Sequence, residues 1–233
     1  MSKHIFECID AHTCGNPIRL IKSGGPKLEG KTMLDKREHF MAEYNWILRS
    51  LMFEPRGHDI MSGSFLYEPS SDEFDIGILF IETSGCLPMC GHGLIGAITV
   101  LIEEGIVIPK VEGKINVETP AGLVKALYKK KDNKVISVKF NNVASFLAVS
   151  NLYVQSDFLG KLKVDVAYGG NFYAIVDIQS NFKGIEYYSA SDLISFGTPN
   201  SSSAFFRVGR LSSINFLPFF ILFSSINMFL YAS

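Results

Sequence analysis

Gly85-Cys86-Leu87-Pro88-Met89-Cys90-Gly91-His92-Gly93-Leu94-Ile95-Gly96-Ala97-Ile98-Thr99-Val100-Leu101-Ile102-Glu103-Glu104-Gly105 is a loop that turns into a helix. Leu94, Ile95, Ala97, Ile98, Leu101 and Ile102 form a stripe so wide that a helix from about Cys90 to Glu104 must lie largely buried. Gly105 ends it and Pro109 follows. Working outward, the spacing predicts strands on both sides. Ile5 to Asp10, Ile18 to Lys22, Ser64 to Tyr67 and Asp75 to Ile81 precede the helix, the last with an apolar run suited to burial. Lys114 to Glu118, Gly122 to Lys129 and Val135 to Phe140 follow it, the last two joined by a turn through Asp132-Asn133. Leu162 to Tyr168 and Phe172 to Asp177 come later. A second helix is predicted from Leu34 to Leu51, where Phe40, Tyr44, Ile47, Leu48 and Leu51 recur at three- and four-residue spacing, and another starts near Ser189. The fold class is therefore α/β, with an α+β mixed sheet around a central helix. Gly15-Asn16-Pro17-Ile18 is echoed by Gly170-Asn171-Phe172-Tyr173, a Gly-Asn turn entering an apolar strand each time, which suits a fold of two similar lobes.

The chemistry in this stretch centres on Cys90. A cysteine in the first turn of a helix sits in the positive end of the helix dipole, which is expected to lower the thiol pKa. Gly91 and Gly93 carry no Cβ, so a ligand can approach backbone N–H groups that suit a carboxylate. An activated thiolate beside a carboxylate cradle fits removal of the Cα proton of an α-amino acid. His92 is placed to hydrogen-bond the ligand or the thiolate. The competing readings are an inert buried thiol for Cys90 and a helix cap for His92. Cys86, Cys90 and His92 also sketch a metal site, but a fourth ligand and the Cys-x-x-Cys spacing are both missing, so no metal is expected.

Of 233 residues, 47% are hydrophobic and 19% charged, and the net charge of −1 gives no pull towards nucleic acid. The cysteines Cys8, Cys14, Cys86 and Cys90 are too few for a disulfide framework, and the N-terminus shows no apolar signal region, so reduced thiols in a cytoplasmic protein are expected. The charge deficit is local. Leu211 to Ser233 carries no charged residue, and 7 of the 19 phenylalanines lie at positions 205, 206, 216, 219, 220, 223 and 229. This segment is long enough to cross a bilayer. Its serines, asparagines and Pro218 fit equally a segment unrelated to the fold.

Four stretches resemble the proline racemases and hydroxyproline 2-epimerases: Asp10-Ala11-His12-Thr13-Cys14-Gly15-Asn16-Pro17-Ile18-Arg19, Leu51 to Asp59, Gly85 to Gly93, and Val164 to Val176. Their wording is closest to bacterial 4-hydroxyproline epimerases, and the resemblance stops near Gly197. It implies a diaminopimelate epimerase-like fold of two lobes. One cysteine from each lobe would act as acid or base on opposite faces of Cα, without a cofactor. By resemblance Cys90 is the first catalytic cysteine and Gly91 and His92 are substrate-binding, while Cys14 and Cys86 match positions not used as bases. The substrate would be hydroxyproline or proline and the full-length parent a homodimer.

The resemblance also implies a second motif of the form Asp-x-Ser-Pro-Cys-Gly-Thr-Gly, which this sequence lacks, since Cys90 is its last cysteine. The expected layout is therefore a racemase-type lobe over 1–162, the start of a second lobe over 163–198 and a divergent apolar tail over 199–233. An epimerase impaired by the missing cysteine is the leading reading. A proline racemase, a trans-3-hydroxyproline dehydratase of the same family, a non-catalytic fragment and a protein tethered to a membrane through its tail are the rivals.

Overall fold

The structure is a computed structural model, in which residues 3–197 and 220–223 are described. In chain order the elements are β1 (Glu7–Thr13), β2 (Asn16–Ser23), α1 (Met33–His39), a π-helical turn (Phe40–Tyr44), α2 (Asn45–Met52), β3 (Ser62–Tyr67), β4 (Ile76–Glu82), β5 (Gly85–Leu87) and α3 (Gly91–Glu103). They continue with β6 (Lys114–Thr119), β7 (Gly122–Lys131), β8 (Lys134–Asn141), β9 (Phe146–Ser156), β10 (Gly160–Tyr168), β11 (Phe172–Val176), a 3-10 turn (Ile185–Tyr187), α4 (Ala190–Gly197) and β12 (Phe220–Phe223).

The chain forms two units, one running to Val143 and one beginning at Ala144. In the first, the sheet order is β1-β2-β3-β4-β6-β7-β8, with β5 paired to β4. The β2–β3 and β4–β6 pairs are parallel and the others antiparallel, so the sheet is mixed, as expected. Helix α3 packs against β1, β2, β3 and β8. Because β1 and β8 are the two ends of the strand order, the sheet curls around this one helix. Leu94, Ala97, Ile98 and Leu101 are fully buried in it, as the wide apolar stripe requires. At Gly96 the packing is close: a Cβ there would lie 2.7 Å from Ile18 Cγ1 and 3.1 Å from Thr13 Oγ1.

A second cluster lies beneath α1 and α2, built from Met33, Phe40, Ile47, Leu48, Leu51 and Met52 against Phe65, Leu79, Ile81 and Cys86. Thr32 caps α1 in a capping box: its hydroxyl accepts the Asp35 N–H, and Asp35 Oδ2 accepts the Thr32 N–H at 2.9 Å. The single helix expected from Leu34 to Leu51 is interrupted at Phe40–Tyr44. The three- and four-residue spacing of apolar residues continues through that wider turn, so periodicity does not register it. Another feature invisible to patterning is Glu118, which is buried. Its Oε1 accepts the Met33 N–H at 3.0 Å and its Oε2 the Ser70 N–H at 2.7 Å, so two backbone donors partner its carboxylate.

In the second unit the order is β12-β11-β10-β9. It begins at Ala144, and β9 pairs along its length with β10. The Gly-Asn echo has a structural basis. Gly15 (φ 86) and Gly170 (φ 95) both take left-handed backbone in the turns of the antiparallel hairpins β1–β2 and β10–β11. From the tail, Phe220–Phe223 pair in parallel with β11. Leu211 to Ser233, read as long enough to span a bilayer, otherwise lies outside the described residues. Among those, no helix is long and apolar enough to cross a membrane.

Candidate active site

Strand β4 ends at Glu82, and β5 folds straight back on it, pairing Gly85 with Glu82. That tight return carries Pro88, Met89 and Cys90 to the start of α3. Cys90 is the N-cap, with extended backbone (φ −136, ψ 112), and its carbonyl accepts the Leu94 N–H at 2.9 Å. Glu82 also pairs in register with Ser62 of β3. Two strand ends and a helix start therefore bring Ser62, Glu82, Cys90 and His92 together.

The Cys90 thiol is 6% exposed and donates to Glu82 Oε1 at 3.1 Å. Ser62 Oγ donates to the same oxygen at 3.3 Å and lies 3.9 Å from the sulfur. His92 Nδ1 is 3.4 Å from Cys90 Sγ. The His92 carbonyl accepts the Thr13 hydroxyl at 2.9 Å, which fixes the first turn of α3 to the end of β1. Both flanking glycines are tightly packed. A Cβ on Gly93 would sit 3.1 Å from Cys90 Sγ, and one on Gly91 would sit 3.3 Å from Phe140 Cζ.

The electrostatics differ from the sequence expectation. A helix N-terminus alone would lower the thiol pKa, yet burial raises it well above its ordinary value. The Glu82 charge and the hydrogen bond to Glu82 add to the rise, and the Gly93 N–H and Ser62 hydroxyl only partly oppose it. Cys90 therefore rests as a thiol. Burial also lowers the His92 pKa, against the Glu82 charge and the Pro17 backbone, so the ring is neutral at neutral pH. Among the described residues, His92 Nε2 is buried with no hydrogen-bond partner.

Cys90, Gly91 and His92 follow one another at the start of α3. The other thiols stand apart, and none of the four cysteines is in a disulfide among the described residues. Cys86 belongs to the cluster under α1 and α2, where burial pushes its thiol up to about 12 despite the charge of Arg37. Arg37 Nε donates to the Cys86 carbonyl at 2.8 Å. Cys14 is exposed in the β1–β2 turn with φ 48, and Cys8 is half-buried on β1. The metal triad sketched from Cys86, Cys90 and His92 is not the one that forms. The ligating atoms of Glu82, Cys90 and His92 lie within 4.8 Å of one another instead. Glu82 and Ser62 escaped the sequence reading, although a carboxylate ending an apolar strand just before the cysteine loop was a visible signal. Arg56, His58 and Asp59 lie in the loop between α2 and β3. The Arg56 carbonyl accepts from Arg19 Nη1 at 2.7 Å, and Arg19 also makes a bidentate pair with Asp10 at 2.7 and 2.8 Å.

Residues 8–203 match the family model described as proline racemase, so the match runs past Gly197, where the resemblance was expected to stop. The 4-hydroxyproline 2-epimerase 2 of Brucella anthropi is 58% identical over 196 residues, covering 84% of this chain and 58% of that relative. The 4-hydroxyproline epimerase of Brucella ovis is 57% identical over 196 residues, with 84% and 59% covered. The chain therefore spans less than two thirds of the length of the curated relatives it matches. Among solved structures, a hydroxyproline epimerase from Agrobacterium vitis with bound trans-4-hydroxy-L-proline superposes with a TM-score of 0.68 at 29% identity, covering 75% of this chain and 52% of that one. A probable proline racemase from Agrobacterium radiobacter with bound carbonate gives 0.69 at 28% identity, with 74% and 52% covered.

Proposed function

The chain belongs to the proline racemase family, and on that premise we propose that its Cys90 site is one half of a cofactor-independent 4-hydroxyproline 2-epimerase. The reaction is exchange of configuration at Cα between trans-4-hydroxy-L-proline and cis-4-hydroxy-D-proline. One observation carries this reading: Cys90 is the N-cap residue of α3, beside the first-turn N–H groups of Gly91 and His92. Those N–H groups have no acceptor within the helix and suit a substrate carboxylate. A carboxylate held there sets Cα near the sulfur. The names of the 57–58% identical relatives favour hydroxyproline over proline as substrate.

In this reading Cys90, a thiol at rest, is the proton donor to its face of the Cα carbanion. Run in reverse, its thiolate takes that proton, and Glu82 and His92 are the polar groups within reach of the sulfur. Inversion needs a second group on the opposite face, and the sequence carries no cysteine after Cys90. Losing one of two cooperating groups removes most of the rate enhancement, so this chain by itself is an impaired epimerase. The full-length parent is a cytoplasmic homodimer in the same proposal.

Two measurements test it. Calorimetry with pyrrole-2-carboxylate, a planar analogue of the carbanion, is expected to show binding that Cys90→Ala and His92→Ala weaken. Polarimetry with trans-4-hydroxy-L-proline is expected to show no sustained inversion. Absence of binding would overturn the site, and inversion at an enzymatic rate would overturn the impairment.

A further inference from the structure

Glu82, Cys90 and His92 offer one carboxylate oxygen, one sulfur and one imidazole nitrogen, the three donor types zinc takes. Ordinary zinc bond lengths put tetrahedral ligand atoms about 3.3–3.7 Å apart. The sulfur already lies 3.1 Å from Glu82 Oε1 and 3.4 Å from His92 Nδ1. All three atoms fall within 4.8 Å of one another.

The donors are also held in place. Glu82 is the last residue of β4, paired in register with Ser62 and Gly85. Cys90 begins α3, and His92 is tied to β1 through its carbonyl and the Thr13 hydroxyl. A site whose ligands sit on strand and helix ends needs little rearrangement to bind. A thiolate and a carboxylate side by side cancel the charge of a divalent cation, and a neutral imidazole completes three protein ligands with one position open. Soft sulfur selects zinc or cadmium over magnesium or calcium.

We propose that Glu82, Cys90 and His92 form a binding site for a soft divalent cation such as zinc(II). Coordination releases the thiol proton to water and forms a metal–sulfur bond, with the carboxylate and imidazole as the other protein ligands and water in the fourth position. While the cation is bound, the metal–sulfur bond draws charge off the sulfur, which leaves it a weaker base towards a proton and a weaker nucleophile towards an alkylating agent. The cation is therefore a reversible block on Cys90. Binding itself does not depend on the epimerase reading, because the probe below is the metal and its readouts are the sulfur's own.

The test is a titration of the reduced, metal-free full chain with cadmium(II), following the sulfur-to-cadmium charge-transfer absorption. One equivalent is expected to produce the band. Cys90→Ser should abolish it, and Glu82→Gln and His92→Gln should each weaken binding about tenfold or more. A band that survives Cys90→Ser, or an affinity unchanged by both other variants, would overturn the proposal. A second measurement uses the unaltered chain and so is immune to folding defects. Zinc(II) is expected to slow iodoacetamide alkylation of Cys90, read site by site by mass spectrometry, and a chelator should restore it. Undiminished alkylation of Cys90, or protection confined to the exposed Cys14, would overturn it.

Discussion

The Cys90 thiol donates to Glu82 Oε1 at 3.1 Å, which places a carboxylate directly against the sulfur proposed as acid and base. The contact opposes ionisation twice, through the carboxylate's charge and through a hydrogen bond that only the thiol can donate. Glu82→Gln removes the charge and weakens the acceptor. The pH profile of Cys90 alkylation should then move to lower pH, with faster reaction at a fixed mildly alkaline pH. An unmoved profile would show that burial alone sets the thiol.

Cys86 gives a stability prediction whose sign follows from its raised pKa. Its thiol goes from an ordinary value of 9.0 to about 12 in the fold, so the folded chain holds the proton more tightly than the unfolded one. That contribution is complete below pH 9 and is lost as pH rises from 9 towards 12, at about 1.4 kcal/mol per pH unit. Cys86→Ala should be less stable at pH 8, because it leaves a cavity, yet lose less stability between pH 8 and pH 10.5. Urea unfolding of both proteins at the two pH values measures the difference.

At Gly96, α3 packs close against β1 and β2. Gly96→Ala drives a methyl to within 2.7 Å of Ile18 Cγ1, and overpacking of this kind costs about 1–3 kcal/mol. The urea midpoint should fall with an unchanged slope.

Among the described residues, the sheet of the second unit ends on β9, where Phe146, Leu147 and Tyr153 are exposed. An apolar edge strand invites pairing with another chain. Light scattering should rise with protein concentration, and Leu147→Lys should reduce it; a soluble, concentration-independent monomer with a sharp melt would contradict this.

The buried helix α3, most of the strands around it and the Cys90-Gly91-His92 start were all legible in the sequence, because a wide apolar stripe and a glycine-flanked cysteine are local signals. Strand β9 was not, since its polar residues mask its pairing with β10. The π-helical turn was hidden by a periodicity that continues through it. Glu82 and Ser62 were missed for a different reason: their role exists only through the β3–β4 register and the β5 return, which are long-range. The direction of the Cys90 pKa failed for a related cause. The helix N-terminus is local and visible, while the burial and the carboxylate that outweigh it come from the folded surroundings.

The most direct test of Cys90 as a one-face acid and base is hydrogen exchange at Cα. Trans-4-hydroxy-L-proline and cis-4-hydroxy-D-proline are each incubated with the chain in deuterium oxide, and Cα deuteration and configuration are followed by NMR. The result expected is slow deuteration of one epimer with retention of configuration, abolished by Cys90→Ala. Deuteration coupled to sustained inversion, or exchange that survives Cys90→Ala, would contradict the account.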